Sequence, residues 1–215
     1  MKIEEHKIFV KEEALILTNQ RAIFWERKKA LIISDVHLGK AAHFRKNGIA
    51  IPTQIALQDL LRLEQLLTLY NAEKLIIVGD LIHAGSNNEV ELLSQTLLKF
   101  PQLTTHLIKG NHDRISLQQL QNMGVQHLYQ QLEIDNFIFS HHPKIEEKKL
   151  VISGHIHPGI NVSFPAKKTM RFPCYVVTKN EIILPAFSSF TGLDTNKILD
   201  NASYYAFYEK GIFKV

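Results

Sequence analysis

Five short apolar runs each stop at a residue able to hold a metal ion. They are ALIISD at Asp35, with His37 two positions on; LIIVGD at Asp80; THLIKGN at Asn111; FIFSH at His141; and LVISGH at His155, with His157 after it. Runs of four or five residues rich in Ile, Val and Leu that end on Gly or a polar group read as buried strands, too short for core helices. In layered α/β folds binding crevices open where strands end, so Asp, Asn and His at those ends are expected to converge however far apart they lie in the chain. The pattern restricts the chain to folds whose strand ends share one side.

The donor set narrows the chemistry. Two carboxylates, one carboxamide and four imidazoles without a thiolate suit Mn, Fe, Zn, Co or Ni and argue against a Cys-rich structural zinc site. Seven ligands exceed what one ion needs. Two ions ~3.5–4 Å apart, sharing one carboxylate and a water or hydroxide, would use all of them and stabilise the entering and leaving oxygens of a displacement at phosphorus. The predicted reaction is phosphoester hydrolysis.

Taken in order, the blocks are Asp35-Val36-His37, Gly79-Asp80, Gly110-Asn111-His112-Asp113, His141 and Gly154-His155-Ile156-His157. Each dipeptide is common; five in sequence, each after an apolar run, are specific. On these residues the chain resembles the calcineurin-like metallophosphoesterases over roughly residues 30 to 190. The resemblance implies an α/β fold, a four-layer αββα sandwich of two mixed β-sheets flanked by helices. It implies Asp35, His37 and His157 on a first divalent ion, Asn111, His141 and His155 on a second, and Asp80 as the bridge. Mn is the expected metal, with Fe, Zn, Ni or Co as alternatives. It also implies that His112 faces the leaving-group oxygen and protonates it, with Asp113 orienting the ring. The strand FIFS delivers His141 first, which favours it as the ligand; the neighbouring His142 stays as the alternative.

At 215 residues and 45% hydrophobic content the chain is expected to form a single domain spanning 1–215. The opening MKIEEHKIFV carries charges where a secretory signal needs an apolar core, and no apolar run approaches the ~20 residues of a membrane span, so a cytoplasmic location without a membrane partner is expected. The single Cys174 lies in the apolar stretch FPCYVV and reads as a buried, inert thiol. The net charge of +4 is mild. Small basic groups at Lys28 and Lys29, at Lys148 and Lys149, and at Lys167, Lys168 and Arg171 read as solvated turns rather than a nucleic-acid patch. His6, His106 and His127 lie outside the motifs and read as surface or core groups.

Spacing predicts strands around 8–10, 14–17, 22–25 and 31–33, then a helix from Pro52 to about Tyr70 on the stripe Ile55, Leu60, Leu63, Leu66, Leu67. A second helix is expected from Asn88 to about Phe100, and a short third from Ser116 as N-cap to Met123 before Gly124. The last third is predicted as strands near 175–178, 181–184, 204–208 and 212–215.

The substrate is read from the segment after His37. Residues 39–51, GKAAHFRKNGIAI, are polar and basic and start beside a ligand, so Lys40, His43 and Arg45 are candidate phosphate contacts; the plain reading as exposed loop residues stands beside this one. The stretch HLGKAAHFRKNGIAIP, the block GDLIH ending at His83, and PAFSSFTG at residues 185–192 are similar to the bacterial ligase-associated DNA damage response phosphoesterases. That resemblance implies a DNA phosphodiester substrate, an endonuclease linked to repair, and functional association with a DNA ligase, a helicase and a nuclease. It also makes His83 a candidate contact to substrate. The alternative reading is a small nucleotide or cyclic-nucleotide phosphodiesterase. A catalytically silent scaffold is disfavoured because no ligand and no motif imidazole is missing. A protein phosphatase is disfavoured because residues 79–85, GDLIHAG, lack the arginine of the Gly-Asp-x-x-Asp-Arg-Gly pattern.

Overall fold

The computed structural model describes residues 2–52, 54–83, 88–165, 168–196 and 199–215. The strands β1 (Glu5–Val10), β2 (Glu13–Thr18), β3 (Ile23–Trp25) and β4 (Ala30–Ile33) form an antiparallel meander. β5 (Lys74–Val78), β6 (Thr104–Ile108) and β7 (His127–Tyr129) continue that sheet in parallel, giving seven strands in sequence order. Parallel neighbours need crossovers, and helices fill them. α1 (Lys40–Lys46) and α2 (Ile55–Leu69) join β4 to β5, α3 (Asn88–Leu98) joins β5 to β6, and α4 (Leu117–Asn122) joins β6 to β7.

A second sheet follows. β8 (Gln131–Ile134), β9 (Phe137–Ser140), β10 (Leu150–Ser153), β11 (Gly159–Phe164), β12 (Lys168–Val177), β13 (Glu181–Ile183), β14 (Ser203–Tyr208) and β15 (Gly211–Lys214) take the order β15-β14-β12-β13-β10-β9-β8, with β11 on β12. β9, β10 and β13 run parallel; the other pairs are antiparallel. Two mixed sheets with flanking helices are thus the architecture.

Period-two alternation decides which core each side chain joins. Leu31, Ile33, Leu75, Ile77 and Leu107 pack against Leu60, Leu63, Leu66 and Leu67 of α2 and Leu93 and Leu97 of α3. Their alternates Ala30, Ile32, Ile76, Val78 and Ile108 face the second sheet and meet Phe137, Phe139, Leu150, Ile152, Tyr175 and Ile182. On the far side of that sheet, Cys174, Val176, Ile183, Tyr204 and Ala206 are covered by Ile156, Ile160, Phe172 and Leu199. Cys174 is fully buried, and burial pushes its thiol up to about 12, so it is inert as expected.

α4 starts as expected, with Ser116 and Gln119 in a reciprocal capping box. α1, β7, β8, β11 and the first part of β12 were not expected. Residues 40–46 form a helix although only Ala41 is buried, because Ala, Phe, Arg and Lys favour helix while the amphipathic signal is weak. β8 alternates but spans only the four residues QLEI, and the β11–β12 hairpin carries polar, exposed residues that lack a clean alternation. Three of the basic residues are paired: Lys28 with Asp135 at 2.8 Å, Lys29 with Glu73 at 2.6 Å and Lys149 with Glu133 at 2.7 Å. Lys167 lies outside the described residues. His106 stacks on His127 and His6 lies against Tyr205, each a structural contact.

Candidate metal centre

The carboxyl ends of β4, β5 and β6 in one sheet and of β9 and β10 in the other open on the same side, and the motif residues follow each end. The loops after β4 and β5 extend the sheet without a strand. Asp35 N donates to Gly79 O (3.1 Å), His37 N to Asp80 O (2.9 Å) and Leu38 N to Leu81 O (2.9 Å). Asp35, His37 and Asp80 are thereby locked side by side, all buried.

The backbone at these positions is costly. Asp35, His37, Asp80, His155 and His157 have φ of 53°, 52°, 48°, 70° and 52°, in the left-handed region that non-glycine residues avoid. Each such residue costs on the order of 1–3 kcal/mol, a strain that concentrates at functional sites. Gly79 adds close approach to a positive φ of 82°: a Cβ there would enter the His141 ring. Gly79→Ala is expected to lower stability by about 3 kcal/mol or more, combining strain with overpacking. Denaturant unfolding measures it; a loss under about 1 kcal/mol would mean the ring has room to move.

Ligand atoms fall into three overlapping groups, each within 4.8 Å: Asp35, His37 and His157; Asp35, Asp80 and His141; and His141, His142 and His155. His37 Nε2 lies 3.2 Å from His157 Nε2, and His155 Nδ1 lies 3.2 Å from His141 Nε2. His157 Nε2 is 3.4 Å from Asp35 Oδ1, and His141 Nε2 is 3.6 Å from Asp80 Oδ2. Neutral imidazoles facing each other nitrogen to nitrogen share at most one proton between two lone pairs, so a cation between the rings suits the arrangement. Burial drives His37 down to about 3, leaving one ring nitrogen with a free lone pair, and its Nδ1 is buried without a hydrogen-bond partner. Burial raises the Asp35 carboxyl, but His157, His141 and His37 outweigh it and hold the group below its usual range. The donor set and these contacts fit divalent metal.

The structure brings Asp35, His37, Asp80, His141, His155 and His157 together, places Asn111 on His142, and revises one reading. Asp113 is buried, and its two oxygens accept from Ile82 N and Gly110 N, both at 2.9 Å. It ties the loops after β5 and β6, and no bond to the His112 ring is present among the described residues. Ring orientation by Asp113 therefore gives way to a positioning role, because its carboxylate is directed at the two loop amides. His112 is exposed, its backbone N held by Asp80 Oδ1 (2.9 Å) and its ring 4.5 Å from that of His83. His142 is exposed and reaches Asn111 Oδ1 at 2.9 Å, whereas His141 is buried against Asp80. Lys40 is half-buried beside His37, and burial, opposed by Asp35 and Asp80, lowers its ammonium. Arg45 is turned to Glu89 at 3.5 Å and to Pro52 O at 3.4 Å.

Sequence reasoning missed two buried acids. Glu89 accepts from Gly39 N at 2.6 Å, setting the start of α1, and Asp59 accepts from Ser189 N at 3.1 Å. The residues around that serine also hold the metal loop: Phe187 N donates to Ser34 O (2.7 Å) and Ser188 N to Asp35 O (3.2 Å). An acidic residue on an otherwise apolar helix face was the available signal.

Two mixed sheets whose strand ends gather buried carboxylates and imidazoles define a metal-dependent phosphoesterase. The family model for calcineurin-like phosphoesterases matches residues 28–147, more than half of the chain, and the chain belongs to that family. The crystal structure of the Pseudomonas putida nuclease MPE superposes with a TM-score of 0.80 at 28% identity, covering 94% of this chain and 96% of that one. Yfce, a phosphoesterase from E. coli, gives a TM-score of 0.43 at 15% identity, with 86% and 97% covered. No match to a curated protein sequence was significant.

Proposed function

We propose that this chain, as a single domain, hydrolyses phosphodiester bonds in DNA as a cytoplasmic endonuclease using two divalent ions, Mn foremost. The observation that carries the reading is the pair of imidazole-lined clusters joined through Asp35, Asp80 and His141. Asp35, His37 and His157 would hold one ion; Asn111, His141 and His155 the other; Asp80, grouped with Asp35 and His141, would be shared. His141 is preferred to His142 because it is buried and faces Asp80, while His142 takes the Asn111 oxygen from the solvent side. When bound, divalent ions polarise the phosphoryl group and stabilise charge on the entering and leaving oxygens.

The remaining steps belong to the side chains. His112, at the open rim, holds a proton on its ring and passes it to the leaving oxygen as the ester bond breaks. His83 packs beside that ring and limits its orientation. Asp113 fixes the loop that carries both Asn111 and His112. The likeness to a nuclease along nearly the whole chain supports a polynucleotide substrate. Association with a ligase, a helicase and another nuclease rests on the sequence resemblance alone.

The direct test offers Mn-loaded protein single-stranded, duplex, gapped and circular DNA beside RNA, 2′,3′-cyclic nucleotides and bis-p-nitrophenyl phosphate. Cleavage of circular DNA supports the proposal; cleavage confined to cyclic nucleotides and the small diester would replace it with the nucleotide phosphodiesterase reading. A second test uses Lys40→Ala with Arg45→Ala. If these cations grip phosphates flanking the scissile bond, DNA affinity falls without sequence dependence and the log–log salt slope flattens by about 0.7 to 0.9 for each phosphate no longer neutralised. Turnover of the small diester stays near wild type. Unchanged DNA affinity with impaired small-diester turnover would move both residues to the reacting phosphate.

A further inference from the structure

None of the seven candidate ligands lines a cleft of about 690 Å³ beside Arg21 and Arg62. Its size lies within the range of small-ligand sites. Lys2, Arg21, Arg62, Arg171 and Lys210 line it against one lining carboxylate, Glu209. Lys2 is paired with Glu4 and Arg62 with Asp59, whereas Arg21, Arg171 and Lys210 have no carboxylate within ion-pair distance among the described residues.

Two of these cations are deep. Arg21 donates to Ala186 O at 2.8 Å with its guanidinium 5.6 Å from the Phe207 ring centre. Arg62 donates to Asp59 and to Phe187 O, stacks 4.4 Å from the Phe187 ring centre, and keeps a buried Nε without a partner. Burial, then the neighbouring Arg62, pulls the Arg21 guanidinium down to about 10. Removing a guanidinium from water costs several kcal/mol unless an anion compensates, and here only Arg62 has a carboxylate partner, Asp59. The planar fork of arginine matches phosphate. Half-buried Phe172 and exposed Tyr208, over the buried Phe207, supply an aromatic wall of the kind on which bases stack.

We infer that this cleft binds a phosphate ester of nucleotide size, its phosphates on Arg21 and Arg171 and its base on the aromatic wall. Arg21 and Arg62 also hold the carbonyls of residues 186 and 187, next to the amides that bond Ser34 and Asp35. Arg171 and Lys210 are exposed and outside that link, so they carry the main test.

The probes are α,β-methylene-ADP, which resists hydrolysis, and methylenediphosphonate. They are titrated by calorimetry into the Mn-loaded full chain, into Arg171→Glu, into Arg171→Glu with Lys210→Glu, and into Arg21→Gln. Phenylglyoxal modification of Arg171 is mapped by mass spectrometry with and without the nucleotide. Expected are an affinity reduction of about tenfold in Arg171→Glu and more in the double variant, as when charge-assisted hydrogen bonds are removed. Protection of Arg171 by the nucleotide and unchanged bis-p-nitrophenyl phosphate turnover in the two surface variants are also expected. Wild-type affinity in all three variants with Arg171 unprotected would place the nucleotide at the metal centre and overturn the inference. Equal affinity for methylenediphosphonate and the nucleotide would overturn it as well, leaving an ion site without base recognition.

Discussion

Asp80→Asn is expected to empty both metal positions together and to reduce phosphodiester turnover by roughly 10²–10⁴, the several kcal/mol that ion-based charge stabilisation supplies. The substitution is chosen because it isolates the charge. An asparagine oxygen can still accept the bond that Asp80 Oδ1 receives from His112 N, so the loop after β6 keeps its anchor. What is removed is the negative charge facing His141 Nε2 at 3.6 Å. Elemental analysis should therefore show both ions falling from two per chain, whereas removal of a ligand private to one position would spare the other. His37→Ala is the comparison, since His37 belongs to the cluster with Asp35 and His157 only. Full occupancy with wild-type turnover in Asp80→Asn would sink the shared-ligand assignment.

His112→Asn is expected to keep both ions and still lower turnover on DNA by roughly 10²–10⁴, the usual contribution of a positioned acid. His112 is in none of the three ligand clusters, and its exposed ring stands at the rim beside His83. The decisive readout is the leaving group. A DNA alkoxide needs a proton, while p-nitrophenolate leaves without one, so the effect should shrink on bis-p-nitrophenyl phosphate. Equal reductions on both substrates would assign His112 to positioning the phosphate instead.

The strands that carry the motifs were legible because burial on both faces leaves a local record. Ala30–Ile33 and Lys74–Val78 are almost wholly apolar, and a polar residue marks where each one ends. The stripe Leu60, Leu63, Leu66 and Leu67 likewise announced α2, and Ser116 with the stop before Gly124 announced α4. Helix α1 left no such record, since it buries one side chain and its basic residues serve a loop equally well. The role of Asp113 was misread for a related reason: adjacency to His112 in sequence suggested a ring contact, while the amide of Ile82, 31 positions away, holds its carboxylate.

The sequence by itself determined the motif strands, the amphipathic helices and the order of the candidate ligands, because helix and strand periods, apolar content and donor softness are properties of neighbouring residues. Only the tertiary structure decided which atoms meet. Asp59 on Ser189, Glu89 on Gly39, and Arg21 and Arg62 around one cleft are each set by the packing of segments distant in sequence. A buried charge carries no local period to announce its partner, so its place is known only once the sheets have closed around it.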